Sequence, residues 1–147
     1  MYKSIVVGTD GSSTATGAVA AATALARSLE ARLHVVCVTN TASVSTALAA
    51  SAGLATSFGE VDEAAREHAS RVLEEARGRA AAEGVEVTVH PCAGNPADVL
   101  VDIAAGEGAD LIVVGNRGMK GARRILGSVP NHVAHHATCA VMIVPTT

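Results

Sequence analysis

Aromatic side chains are almost absent from this chain, which has one Tyr, one Phe and no Trp among 147 residues. Hydrophobic residues nevertheless make up 49% of the sequence, so the chain can bury a core of useful size. That core has to be built from Val, Ile, Leu and Ala, which suit helices packed closely on a parallel sheet. The same scarcity argues against a surface on which nucleic-acid bases stack.

Positive charge is not in excess, because 11 Lys and Arg residues stand against 14 Asp and Glu residues and the net charge is −3. Such a total attracts neither nucleic acid nor an anionic membrane. The basic cluster of Lys120, Arg123 and Arg124 is interpreted as a solvated helix face. We therefore expect no nucleic-acid partner, and any anion site must come from local arrangement.

Disulfide and membrane signals are missing as well. Cys37, Cys92 and Cys139 are odd in number, far apart and without CxxC spacing, which indicates reduced thiols. No apolar run reaches the ~20 residues that a bilayer-spanning helix needs, and the N-terminus lacks a signal-peptide pattern. These features predict a cytoplasmic protein that does not contact a membrane.

Short apolar runs alternate with amphipathic segments along the whole chain. The runs predict five strands, at residues 3–8, 33–38, 85–90, 110–115 and 140–145. Helices are predicted at about residues 14–30, 58–83, from Asn95-Pro96 to Gly106 or Gly108, and 128–137. The alternation predicts one doubly wound α/β domain over residues 1–147, with parallel strands and right-handed crossovers. Residues 39–57 fit either a mobile loop or a weak Ala-rich helix.

The stretch after the fourth strand is typical of an anion site. Gly115 and Gly118 lack Cβ where the backbone can approach a ligand closely. Gly127-Ser128 opens a helix, whose free N–H groups and positive dipole end favour an anion. Basic side chains flank the same loop: Arg117, Lys120, Arg123 and Arg124. The stretch therefore predicts a site for a negatively charged ligand, most simply a phosphate.

Two other phosphate motifs are missing. GxxxxGK[ST] does not occur, and the loop after the first strand reads Gly8-Thr9-Asp10-Gly11-Ser12 in place of GxGxxG. Their absence argues against GTPase-type chemistry and ordinary NAD binding. A loop that follows a central parallel strand is nevertheless where α/β proteins place groups that contact ligands.

Motifs from three parts of the chain together carry a family resemblance. Gly115-x-x-Gly118 followed by Gly127-Ser128 occurs with Val-Gly-Thr-Asp-Gly-Ser closing the first strand and Val-Pro at the end of the chain. In this combination the chain resembles the universal stress protein family, over essentially its whole length. The resemblance implies a five-stranded parallel sheet of order 3-2-1-4-5, with Asp10 beside the glycine loop at the switch point between strands one and four.

The resemblance also implies an ATP site at that crevice. Asp10 would face the ribose or a phosphate-bound metal ion such as Mg²⁺, and Val38 would offer backbone groups to adenine. The glycine loop would wrap the ribose and phosphates, and the helix start after it would hold phosphate oxygens. The implied nucleotide-binding residues are Gly8, Thr9, Asp10, Val38, Val114, Gly115, Arg117, Gly118, Gly127, Ser128 and Val129.

The chain departs from the family pattern at two places. Eight residues, Met119–Leu126, separate Gly118 from Gly127, one fewer than is usual in the family. This shortens the loop and can reshape the phosphate cradle. Gly8 stands where nucleotide-binding relatives often carry Pro or Ala, a difference that we expect to matter little.

No catalytic residue can be assigned from the sequence. Phosphoryl transfer needs a positioned nucleophile, a metal ion and a charge clamp, and no general base is evident near Asp10. We therefore expect a binding protein with slow ATP hydrolysis at most. The spacing of His132, His135 and His136 would suit a metal ion, but these residues are interpreted as a solvated helix end. His34 and His90 are interpreted as structural.

The last strand, residues 141–144, is predicted to be an exposed apolar edge. Proteins cover or pair such edges, and the family resemblance implies pairing with a second copy in a homodimer. Pro145 limits further extension of this strand because it lacks an N–H donor. Two alternatives stay open: a member that binds cyclic AMP, and a nucleotide-free regulatory homodimer that docks a partner through residues 39–60.

Overall fold

The computed structural model describes residues 1–39, 57–116 and 129–145. Strands and helices alternate through these ranges. The strands are β1 (Ser4–Thr9), β2 (Arg32–Thr39), β3 (Val87–Ala93), β4 (Leu111–Gly115) and β5 (Ala140–Val144). The helices are α1 (Ser13–Leu29), α2 (Ser57–Ala82), α3 (Pro96–Gly106) and α4 (Val129–His136). The two interpretations of residues 39–57 concern a segment that lies almost wholly outside the described residues.

The five strands form one parallel sheet in the order β3-β2-β1-β4-β5, as the family resemblance implies. β1 lies at the centre, with β2 on one side and β4 on the other. The chain therefore adds β2 and β3 on one side of β1 and then crosses back to add β4 and β5 on the other side. This reversal creates the predicted switch point at the carboxyl ends of β1 and β4.

Both faces of the sheet are covered by helices. Side chains alternate along each strand, so Ile5 and Val7 face α1 and α2 while Val6 faces α3 and α4. All three are completely buried. Ala18, Ala22 and Ala26 give α1 a face of small residues that packs closely on the sheet. The core of the described residues is aliphatic, as the composition predicts.

The third strand differs from its prediction at both ends, since it starts at Val87 instead of Val85 and ends at Ala93 instead of His90. Val85 belongs to the end of α2, because Gly84 adopts φ +78° and the Val85 N–H donates to the Ala80 carbonyl at 3.1 Å. Pro91 does not stop the strand, because β3 is an edge strand of the described sheet and tolerates a missing donor.

A carboxylate at the amino end of the sheet joins the first and fourth strands. Asp110 Oδ2 accepts hydrogen bonds from the backbone N–H groups of Lys3, at 2.7 Å, and Ser4, at 3.0 Å. These two bonds lower the pKa of Asp110. Asp110 is therefore a structural residue at the end of the sheet opposite the switch point.

No helix among the described residues is both long and apolar enough to cross a membrane.

Candidate functional site

A cavity of about 180 Å³ lies at the carboxyl ends of β1, β2 and β4. Its walls are largely apolar, and they combine strand residues such as Val38 and Val114 with Leu100 of α3. The polar side chains at its rim come from the last residue of β1, the loop that follows and the start of α1. The complete lining among the described residues is Gly8, Thr9, Asp10, Ser12, Thr14, Ala15, Val36, Val38, Pro96, Leu100, Val114, Gly115 and Val129.

The loop after β1 is held in place by its own hydrogen bonds. Thr9 Oγ1 accepts from the Gly11 N–H at 3.2 Å, and Asp10 Oδ1 accepts from the Ser12 N–H at 2.9 Å. Gly11 adopts φ +81°, and a Cβ on it would lie 2.7 Å from Cγ2 of Val72 in α2. Only glycine fits both conditions, so α2 and the turn together place Asp10 at the cavity.

The amino end of α1 also faces the cavity. Ser12 caps this helix, because its Oγ accepts from the Ala15 N–H at 3.2 Å, and its Oγ lies 3.1 Å from Thr14 Oγ1. The first turn of α1 contains no acidic residue. The positive end of the helix dipole and two hydroxyl groups therefore lie beside Asp10.

Gly8 has a packing role that the sequence does not reveal. A Cβ at this position would lie 3.0 Å from Cδ1 and 3.2 Å from Cδ2 of Leu100. Leu100 thus occupies space that is open because residue 8 lacks a side chain. The two residues together shape the wall of the cavity between β1 and α3.

The start of α3 forms the wall that contains Pro96 and Leu100. Asn95 caps this helix by accepting from the N–H groups of Ala97, at 3.1 Å, and Asp98, at 3.2 Å. The predicted cap, with Pro at the first helical position, is confirmed. Because Asn95 follows β3 closely, the position of this wall depends on the edge strand.

A histidine–carboxylate pair joins α3 to α4. His132 Nε2 lies 2.8 Å from Asp98 Oδ1, and the ring of His132 stacks on that of His136 with centroids 4.1 Å apart. The sequence shows no acidic partner close to these histidines, because Asp98 comes from another helix. This solvent-exposed pair links α3 to α4, the helix that begins at Val129. Within the described ranges, no group of three or more His, Cys, Asp or Glu residues could hold a metal ion.

Burial disfavours the thiolate form of all three cysteines. Cys37 is buried at the end of β2, and burial raises the pKa of its thiol, with further contributions from the charges of Asp10 and Cys92. Burial also raises the pKa of the Cys92 and Cys139 thiols. All three cysteines are free, and Cys37 and Cys92 belong to the hydrophobic clusters on opposite faces of the sheet. The predicted reduced state suits this arrangement.

The structure brings together the predicted residues that it describes. Seven of them line the one cavity: Gly8, Thr9, Asp10, Val38, Val114, Gly115 and Val129. Arg117, Gly118, Gly127 and Ser128 lie outside the described residues. Sequence reasoning did not assign Ser12, Thr14, Ala15, Val36, Pro96 and Leu100 to the site. The capping signals at Ser12 and Asn95 could have led to the two helix starts, whereas nothing in the local sequence marks Leu100.

Comparison with known proteins agrees with this architecture. The model of the universal stress protein family matches residues 1–145. The chain belongs to the universal stress protein family.

Individual universal stress proteins are similar over almost their full length. YxiE of Bacillus subtilis is 33% identical over 147 residues, which cover 98% of this chain and 99% of that protein. A universal stress protein solved in complex with cAMP has a TM-score of 0.76 and 32% identity, with 99% of this chain and 98% of that one covered. A family member from Burkholderia pseudomallei has a TM-score of 0.75 and 30% identity, covering 98% and 96% of the two chains.

Proposed function

We propose that this universal stress protein binds an adenine nucleotide in the cavity at the carboxyl ends of β1, β2 and β4. ATP is the ligand that the sequence motifs imply. The observation that carries the proposal is that Asp10, Val38, Gly115 and the start of α4, which are distant in the sequence, line the same cavity. This cavity lies at the switch point of the sheet, where ligands of doubly wound folds bind.

The chemistry of the lining suits the two halves of a nucleotide. Val36, Val38 and Leu100 offer an apolar surface to the faces of a base, which are the least polar part of a nucleotide. At the other side, the starts of α1 and α4 offer the positive ends of two helix dipoles to phosphate oxygens. We expect the glycine loop, with Arg117, Gly118, Gly127 and Ser128, to complete the phosphate site.

The Asp10 carboxylate is suited to contact a metal ion bound to the phosphates. Mg²⁺ is commonly held by one or two carboxylates together with substrate phosphates, and Asp10 is the one ionisable side chain among the described lining residues. The described lining residues supply no second ionisable side chain that could act as a general base. We therefore expect any ATP hydrolysis to stay well below ~1 per second.

Cyclic AMP is the second candidate ligand, because a similar universal stress protein has been solved with cAMP. The two ligands place different demands on Asp10. A triphosphate brings a metal ion that a carboxylate can bind, whereas a cyclic monophosphate brings one negative charge that a carboxylate repels. Asp10→Asn keeps an oxygen that can accept the Ser12 N–H bond. It should weaken Mg·ATP binding and leave cAMP binding equal or tighter.

The direct test is calorimetric titration with Mg·ATP and with cAMP. Ala15 lines the cavity on α1, whereas Ala24 is exposed on the same helix and is not part of the cavity lining. Ala15→Phe should therefore weaken binding about tenfold or more, and Ala24→Phe should bind like the parent. The proposal fails if neither nucleotide binds the parent protein, or if the two variants bind equally well.

The proposed assembly is a homodimer that pairs through residues 141–144. Met142 and Ile143 are each 39% exposed on β5, which forms an edge of the described sheet. An exposed apolar edge favours pairing with an identical edge. Ile143→Lys should convert the dimer into a monomer when mass is measured by light scattering, whereas Thr88→Lys on the opposite edge strand should not. A parent protein that is monomeric at micromolar concentration would exclude this interface.

A further inference from the structure

Two histidines form a contact that the proposed nucleotide site does not use. His34 of β2 and His90 of β3 place Nδ1 and Nε2 2.9 Å apart, with ring centroids separated by 5.2 Å. His34 lies opposite Thr88 and His90 lies opposite Val36, so the two histidines are diagonal neighbours across the strand pair. Strand alternation places both on the face that packs against α3. His34 is only 3% exposed.

The geometry of this contact limits how many protons the pair can hold. In the neutral pair, one ring nitrogen carries a hydrogen and donates it to the lone pair of the other. One added proton preserves that bond, because it takes a nitrogen that does not face the other ring. A second added proton would place two N–H groups face to face at 2.9 Å, with two positive charges beside the core. The pair therefore tolerates one positive charge and not two.

The surroundings of His34 act in the same direction. Burial is the main cause that lowers the pKa of His34, and a positive charge on His90 lowers it further. Glu107, the residue after α3, raises this pKa, while Arg32 lowers it and Glu86 raises it. Arg32 and Glu86 lie 3.9 Å apart and act on the pKa of His34 in opposite directions. The net effect lowers the pKa of His34 below that of a solvated histidine.

We propose that the His34–His90 contact stabilises the pairing of the edge strand β3 with β2. This stabilisation is lost as the pH falls below about 6. In the unfolded chain both imidazoles take up protons near pH 6.5. Because the folded pair resists the second proton, the unfolded chain binds more protons, and the folded state loses stability as the pH falls through this range.

Because of where the contact lies, weaker pairing of β2 with β3 would also affect the cavity. β2 supplies Val36 and Val38 to one wall, and β3 leads through Gly94 to Asn95, the cap of the helix that supplies the opposite wall. The pairing of β2 with β3 thus connects the two walls through the chain. A change in this pairing on acidification would reshape the cavity without altering a residue that lines it.

The first experiment measures unfolding of the ligand-free protein in urea at pH 7.5 and at pH 5.5. For one histidine kept neutral, the unfolding equilibrium constant should rise about tenfold between these two values. The double variant His34→Gln/His90→Gln should lose this about tenfold change in the unfolding equilibrium constant. The variant His135→Gln, at an exposed histidine, should keep it. Equal pH responses in the parent and the double variant would overturn the proposal.

Two measurements on the parent protein keep the proposal testable if the double variant does not fold. Nitrogen NMR of the imidazole rings should show His34 neutral at pH 5.5, and a His34 ring that protonates with an ordinary histidine pKa would overturn the proposal. Hydrogen exchange should show that amide protection in β3 falls more than that in β4 between pH 7.5 and pH 5.5. An equal change in both strands would exclude a local effect of acidification on the pairing of β3 with β2. No nucleotide is present in these experiments, so their failure would leave the proposed nucleotide site untouched.

Discussion

The two faces of the sheet are built differently. Among the described residues, the core toward α1 and α2 contains 17 buried hydrophobic residues, and the core toward α3 and α4 contains eight. Alanines bring α1 close to the first face, whereas the second face carries Leu100, the candidate cavity and the buried His34. Within the described part of the chain, the first face therefore has the larger core, and the second face combines a smaller core with the cavity and polar pairs.

The largest expected effect is a core truncation that compares the two faces. Leu33 is completely buried on the first face, and Leu100 is buried on the second but also lines the cavity. Leu33→Ala should lower the free energy of unfolding by about 4 kcal/mol and Leu100→Ala by about 2 kcal/mol, because a side chain beside an existing cavity loses fewer packing contacts. Urea unfolding measures both values. Equal losses would show that the two faces are packed alike.

The second prediction compares Gly8, near the end of β1, with Gly11, in the loop that follows β1. Gly11→Ala should cost about 1–3 kcal/mol, because the residue adopts φ +81° and the new Cβ would press on Val72 at 2.7 Å. Gly8→Ala should cost about 1 kcal/mol or less, because the Leu100 side chain can shift by a few tenths of an ångström. Thermal unfolding of the two variants tests the order. A more harmful Gly8→Ala would mean that the wall of the cavity is rigid.

The smallest effect is expected at the start of α3. Asn95→Ala removes the acceptor for the Ala97 and Asp98 N–H groups and should cost about 1 kcal/mol. Asn95→Asp keeps the acceptor and should stay within about 0.5 kcal/mol of the parent. If this end of α3 positions the cavity wall, Asn95→Ala should also weaken nucleotide binding in calorimetry more than Asn95→Asp does. Equal nucleotide binding by the two variants would show that the cap of α3 does not position the cavity wall.

Much of the fold was predictable because its signals are local. Buried β-branched runs mark the strands, and the caps at Ser12 and Asn95 act on N–H groups only two or three residues away. The start of the third strand was predicted wrongly because the Val85 N–H bonds to the end of α2. An alternating sequence does not reveal this pattern of helix termination. Within the site, Asp10, Val38 and Gly115 were reached through motif resemblance, whereas Leu100 was not, because its place depends on how α3 crosses β1.

The sequence by itself determined the alternation of strands and helices, the aliphatic core and the polar loop after β1, since each follows from the spacing of neighbouring residues. Tertiary structure alone decided which distant side chains meet. Leu100 fills the space at Gly8, Asp98 pairs with His132, and His34 contacts His90 only because β2 and β3 pair in one register. Such contacts depend on strand order and helix placement, which are set by the packing of the whole domain.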